Sequence, residues 1–199
     1  MASDLQSLVL ANLAYSFQMT PPIVLGASVV RVALLLSGQK REFEDWTRNK
    51  FLTFLSIIFL PGTLAFMGIR LLLAKIFRIA IEDVASSSTY GEINVFLKVE
   101  KPPRVGIVLS VLFLNVLLAI FTAFSLVVIP VMLVFEPLWM VVCWWVSVGI
   151  LFNCSVRSGD LSLLFASLKR KPKSGLIEFV LFTSILCVAY YLQLVGVAL

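Results

Sequence analysis

The chain has 199 residues, of which 60% are hydrophobic and only 14% charged, whereas an ordinary soluble domain carries roughly 45–50% apolar and about 25% charged residues. The net charge is +5 and there is no histidine. The bases lie in connecting loops, where membrane orientation puts them, so the charge is not a nucleic-acid signal. The missing imidazoles exclude His-ligated haem, His-bearing zinc sites and His general bases.

One membrane domain spanning 1–199 follows, with no second globular unit. Cys143, Cys154 and Cys187 form no C-x-x-C pair and read as small hydrophobes. The first base is Arg31, so no basic leader of a secretory signal or transit peptide is evident.

Residues 3–18 are weakly amphipathic. Leu5, Val9, Leu13 and Phe17 make a helical stripe, with Asn12 and Ser16 beside it and Gln6 intruding. This segment reads either as a surface helix or as the first half of a long kinked span. Pro21-Pro22 is expected to break the chain, and 22–37 follows as a short span. Arg31 interrupts that span, as an intramembrane functional base or as one that snorkels to the interface.

Residues 38–50 read as a polar loop. Residues 51–73 are divided by Pro61-Gly62, a strong turn signal, and form a kinked span or a re-entrant hairpin. Within 74–104, residues 74–86 read as an amphipathic helix and Ser86–Gly91 as a turn. Alternation over Ile93–Val99 predicts a short strand.

The longest charge-poor stretch is Val105–Val156, where the sole charged residue is Glu136. As one helix it would be about 78 Å long, more than twice a hydrocarbon core of roughly 30 Å. It must fold back near Pro130 and Glu136-Pro137, giving spans at 106–129 and 138–154. A basic loop, 155–175, holds Lys169, Arg170, Lys171 and Lys173, candidates for anionic-lipid contact. Its middle, Leu161–Leu168, reads as lying along the interface. A last span covers 176–197. No internal repeat is visible. Trp139, Trp144, Trp145, Tyr190 and Tyr191 fit an interfacial belt.

Charge chooses between the readings of 51–73. Bases occupy 38–50, 74–105 and 155–175; the 130–137 connection has none. If 51–73 crosses, the first loop faces away from the other two. If it re-enters, all three share one side, as the positive-inside rule favours. The re-entrant reading is therefore the expectation, with that side cytoplasmic or its equivalent.

Polar groups at membrane depth are few: Arg31, Arg70, Asn115 and Glu178. Glu178 is expected to cap a helix N-terminus or to pair with a base. Asn115 and Thr122 share a face and are expected to join helices by hydrogen bonds. No nucleophile–base pair, paired acid/base carboxylates or phosphate-cradling loop is visible. The expectation is an all-α polytopic membrane protein with four to five apolar segments and amphipathic interfacial helices. No catalytic residue, metal or cofactor is expected. The expected role is a subunit or scaffold that contacts lipids and other membrane subunits or itself. The alternative is a small ion, lipid or solute transporter, for which at least two of the four polar residues should line one hydrated cavity.

Overall fold

The computed structural model describes residues 2–36, 39–41, 44–48, 50–87, 94–99, 101–155 and 158–195. The elements run α1 (Ala2–Leu36), β1 (Gln39–Arg41), β2 (Glu44–Arg48), α2 (Lys50–Ile58), α3 (Leu60–Ile76), β3 (Ile81–Ser87), β4 (Asn94–Val99), α4 (Val105–Met132), α5 (Pro137–Asn153), α6 (Ser158–Arg170) and α7 (Pro172–Leu194). Three helices are long and apolar enough to cross a membrane, at Gln6–Leu34, Val105–Met132 and Pro172–Leu194; α5 is a shorter apolar helix.

The helix α1 runs through both prolines, where the sequence led us to expect a break. Proline has no N–H, so Pro22 leaves the carbonyl of Gln18 without its helical donor. The Tyr190 hydroxyl of α7 donates to that carbonyl at 3.5 Å. A long contact from a neighbouring helix thus stands in for the backbone bond lost at Pro22.

Residue pairs fix the directions of the helices. Asn12 bonds Ser125 and Phe17 meets Phe113 edge to face, so α1 is antiparallel to α4. Ser147 bonds the carbonyl of Ala123 and Trp144 that of Val127, so α5 returns antiparallel to α4. Gly106 meets Glu178 and Phe113 meets Phe182, so α7 runs parallel to α4. The C-terminal ends of α1 and α5 and the N-terminal ends of α4 and α7 therefore gather at one end of the bundle, the basic end.

Between α4 and α5 the chain turns in four residues. The N–H of Phe135 donates to Pro130 O at 3.0 Å and that of Val134 to Val131 O at 3.3 Å, the paired bonds that close many helix C-termini. Val134 takes φ 52° to do so, a costly conformation for a β-branched residue. Pro130 lies inside α4 and is buried; the helix ends after it, not at it.

Two antiparallel hairpins, β1–β2 and β3–β4, lie between α1 and α4 in sequence. The strand β4 occupies the stretch where alternation pointed to one. The amphipathic helix expected over 74–86 is not formed: α3 stops at Ile76, and 81–87 pair with 94–99. Arg78 with φ 53° closes α3, with Ile79 N–H donating to Ala74 O at 2.9 Å. The β-branched Ile81 and Val84 then enter a strand, which suits them better than a helix. Of the expected turn over 86–91, residues 88–91 lie outside the described residues and Ser86 and Ser87 belong to β3.

The core joins Phe66 and Met67 of α3, Ala119, Ile120 and Ala123 of α4, Ile150 of α5 and the adjoining Cys154. Its centre is α4, which touches α1, α3, α5, α6 and α7. Cys187, by contrast, is exposed on α7.

Candidate functional site

The buried residues of α3 include Gly62, Thr63, Phe66, Met67, Arg70, Leu73 and Ala74, a stripe at three- and four-residue spacing, as expected of one helix face. Its first member makes the closest backbone approach of the described glycines. A Cβ on Gly62 would fall within the backbone of Gly149 of α5, and one on Gly149 would lie 3.2 Å from Gly62 Cα. Paired glycines allow two helix backbones to touch, the usual device for packing inside lipid.

This contact sets the geometry of everything beside it. Asn153, at the end of α5, donates from Nδ2 to Thr63 Oγ1 at 3.0 Å and to Gly149 O at 2.7 Å. Two turns further along the α3 stripe, Arg70 Nη2 lies 2.9 Å from Asp160 Oδ1 and 3.0 Å from Oδ2. The guanidinium carbon sits 5.7 Å from the Phe66 ring centre, within cation–π range. The two side chains are only 11% and 16% exposed, so this pair is mostly withdrawn from solvent.

A second arginine reaches the same link from α1. Arg31 Nη1 donates to Ser155 Oγ at 3.0 Å. Two sequence candidates, Arg31 and Arg70, thus converge on residues 153–160, where α5 gives way to α6. Their anchors, Ser155 and Asp160, were not among the sequence candidates, and neither was Asn153, which ties α5 to α3 through Thr63. Asp160 is the lone carboxylate in a segment that otherwise reads as basic, and that contrast was the available signal.

The other two candidates lie elsewhere. Glu178 is a cap, as one sequence reading held, but of a different helix. Its Oε2 accepts the backbone N–H of Gly106 at 2.9 Å, so a carboxylate of α7 satisfies a free donor in the first turn of α4. Asn115 is fully buried on α4, and both its Nδ2 and Oδ1 lack partners among the described residues. The expectation that Asn115 and Thr122 join helices is corrected. Thr122 donates to Leu118 O of its own helix at 2.7 Å. The joining bonds come from Asn12, whose Nδ2 reaches Ser125 Oγ at 2.8 Å, and from Ser147.

The four bases Lys169, Arg170, Lys171 and Lys173 are all exposed. Among the described residues, no group of three His, Cys, Asp or Glu side chains is placed to hold a metal ion. No family model, curated protein or solved structure matches the chain, so function is argued from this geometry.

Two outcomes follow. Asp160→Asn should destabilise the protein by about 2 kcal/mol, because a mostly buried guanidinium loses its counter-charge; thermal unfolding in detergent measures it, with Lys75→Gln as the neutral comparison. Asn115→Leu should raise stability by about 1–3 kcal/mol, because it removes an unpartnered amide from an apolar setting at similar volume.

Proposed function

We propose that this protein is a non-catalytic integral membrane subunit or scaffold that acts through lateral contacts. The observation that carries this reading is how its polar groups are used. Asn12, Arg31, Arg70, Ser147, Asn153, Glu178 and Tyr190 all reach across to another helix or to the α5–α6 link. Such bonds hold helices to one another. The outer faces of the bundle are apolar and open. Only 6% of the apolar window is buried in α1 and in α7, against 33% in α4. Few residues of these two helices are fully buried, so each offers a long apolar face to lipid, to another subunit or to a second copy.

In this reading α1, α4, α5 and α7 make four crossings, and α2–α3 stays on the basic side. The directions of the four helices support it, since α1 ends and α4 begins at the same end of the bundle. Helical bonds run through the α2–α3 junction, Phe59 N–H to Leu55 O at 2.9 Å and Thr63 N–H to Phe59 O at 3.0 Å, which favours a bent helix over a tight hairpin. Phe51, Phe54, Ile57, Leu60 and Leu64 are exposed along it. A bent apolar helix inserted from one leaflet would wedge that leaflet apart and curve the membrane. The basic side is then the cytoplasmic one or its equivalent. In a membrane-impermeant labelling experiment, Thr47→Cys and Ser158→Cys should react from the same face; labelling from opposite faces would show that α2–α3 crosses.

A second reading, transport of a small ion, lipid or solute, draws on Arg31 and Arg70 meeting at one link and on the unpartnered Asn115. Purification in native nanodiscs separates the two. Stoichiometric co-purifying membrane subunits, or a defined homo-oligomer without flux in liposomes, support the scaffold. A lone monomer that conducts or exchanges solute, with conduction lost in Arg70→Ala, sinks it.

A further inference from the structure

We propose that the basic end of the bundle carries a composite binding site for the headgroup of an anionic glycerophospholipid, built by two segments far apart in sequence. One is the loop before α4, with Lys101 and Arg104. The other is the α6–α7 junction, with Lys169, Arg170, Lys171 and Lys173. The inference goes beyond the scaffold reading and does not depend on it.

Three contacts bring the segments side by side. Arg170 Nη1 donates to the Pro102 carbonyl at 2.7 Å, which ties the end of α6 to the middle of the first segment. Glu178 accepts the N–H of Gly106 at 2.9 Å. Gly175 sits so close to Val105 that a Cβ there would be 3.0 Å from Val105 Cγ2. The first turns of α4 and α7 are therefore packed together, and the bases that precede each helix are gathered at one level.

All six bases are exposed. The two described carboxylates nearby are already engaged, Glu178 with the α4 backbone and Asp160 with Arg70. Among the described residues no carboxylate pairs with Lys101, Arg104, Lys169, Lys171 or Lys173. Like charges crowded in this way repel one another and gain from an anion placed among them.

The occupant is a lipid rather than a free anion because of what lies beside the bases. Leu176 and Ile177, in the first turns of α7, are 61% and 63% exposed, and apolar exposure continues through Val180 and Leu181. On α6, Leu161 and Phe165 lie one turn apart and are 46% and 61% exposed. The bases thus sit where an apolar wall begins, which matches a phosphate joined to acyl chains. Each base near an anionic membrane surface contributes about fivefold in affinity.

The test uses the full chain in a zwitterionic detergent micelle, titrated separately with dioctanoyl phosphatidylserine, dioctanoyl phosphatidylcholine and inorganic phosphate. Bound lipid is read by native mass spectrometry and the thermal midpoint by unfolding. Phosphatidylserine should bind and raise the midpoint, and 0.5 M salt should remove most of the effect, about the concentration at which screening is short-ranged. Lys101→Gln/Arg104→Gln and Lys169→Gln/Lys171→Gln/Lys173→Gln should each weaken binding at least tenfold, while Lys75→Gln leaves it unchanged. Equal binding of phosphatidylcholine overturns the proposal, as does saturation by phosphate alone. Unchanged binding in the Lys101/Arg104 variant overturns the composite site. Midpoints of the lipid-free variants show whether they fold. Should one not fold, the salt dependence and headgroup preference of the unaltered chain decide.

Discussion

Gly62 against Gly149 is the contact on which the inner architecture depends. In lipid the hydrophobic effect does not press helices together, so close packing and internal hydrogen bonds must do so. Two glycines remove the side chains that would hold α3 and α5 apart. Every fourth residue along α3 from that point then has an assigned place: Phe66 in the core and Arg70 over Asp160. Moving the crossing by one residue would rotate the stripe by about 100°. Arg70 would then leave its carboxylate and face hydrocarbon, so the glycine pair sets the register of the charged one.

The centre of the bundle shows a consistent use of polar groups. Polar groups freed in one helix are satisfied from another: the Gly106 N–H in the first turn of α4 by Glu178 of α7, and the carbonyl released by Pro22 through Tyr190 of α7. Ser147 of α5 adds a bond to the Ala123 carbonyl of α4. Water cannot perform these services at bilayer depth, so each bond also specifies a neighbour. Asn115 departs from the pattern. Its buried amide has no partner among the described residues.

Apolar runs, proline punctuation and the distribution of bases made the membrane class and the positions of α4, α5 and α7 legible in the sequence. The charge-poor stretch around Glu136 located the α4–α5 turn because length alone forced a reversal. Pro21-Pro22 misled because the group that meets the Gln18 carbonyl is Tyr190, about 170 residues away. Residues 74–86 misled because helical and strand periodicity are hard to separate over a short apolar run, and pairing with β4 decided the matter. Glu178 was legible as a cap but not as the cap of α4, since side-chain reach between helices has no local signature. Asp160 and Asn153 read as ordinary loop and helix-end residues until α3 was placed beside them.

The pairing of α1 with α7 has a consequence for how the chain is assembled. Translation delivers α1 to the membrane before the helices that complete it, α4 and α7. Until α7 arrives, the Gln18 carbonyl has no Tyr190, and Asn12 has no Ser125 until α4 is in place. Between the synthesis of α1 and that of α7, then, α1 holds polar groups that lack their inter-helix partners. A chain that stops short of α7 would leave that debt standing, and its exposed carbonyl would offer quality control a simple chemical mark of an unfinished protein.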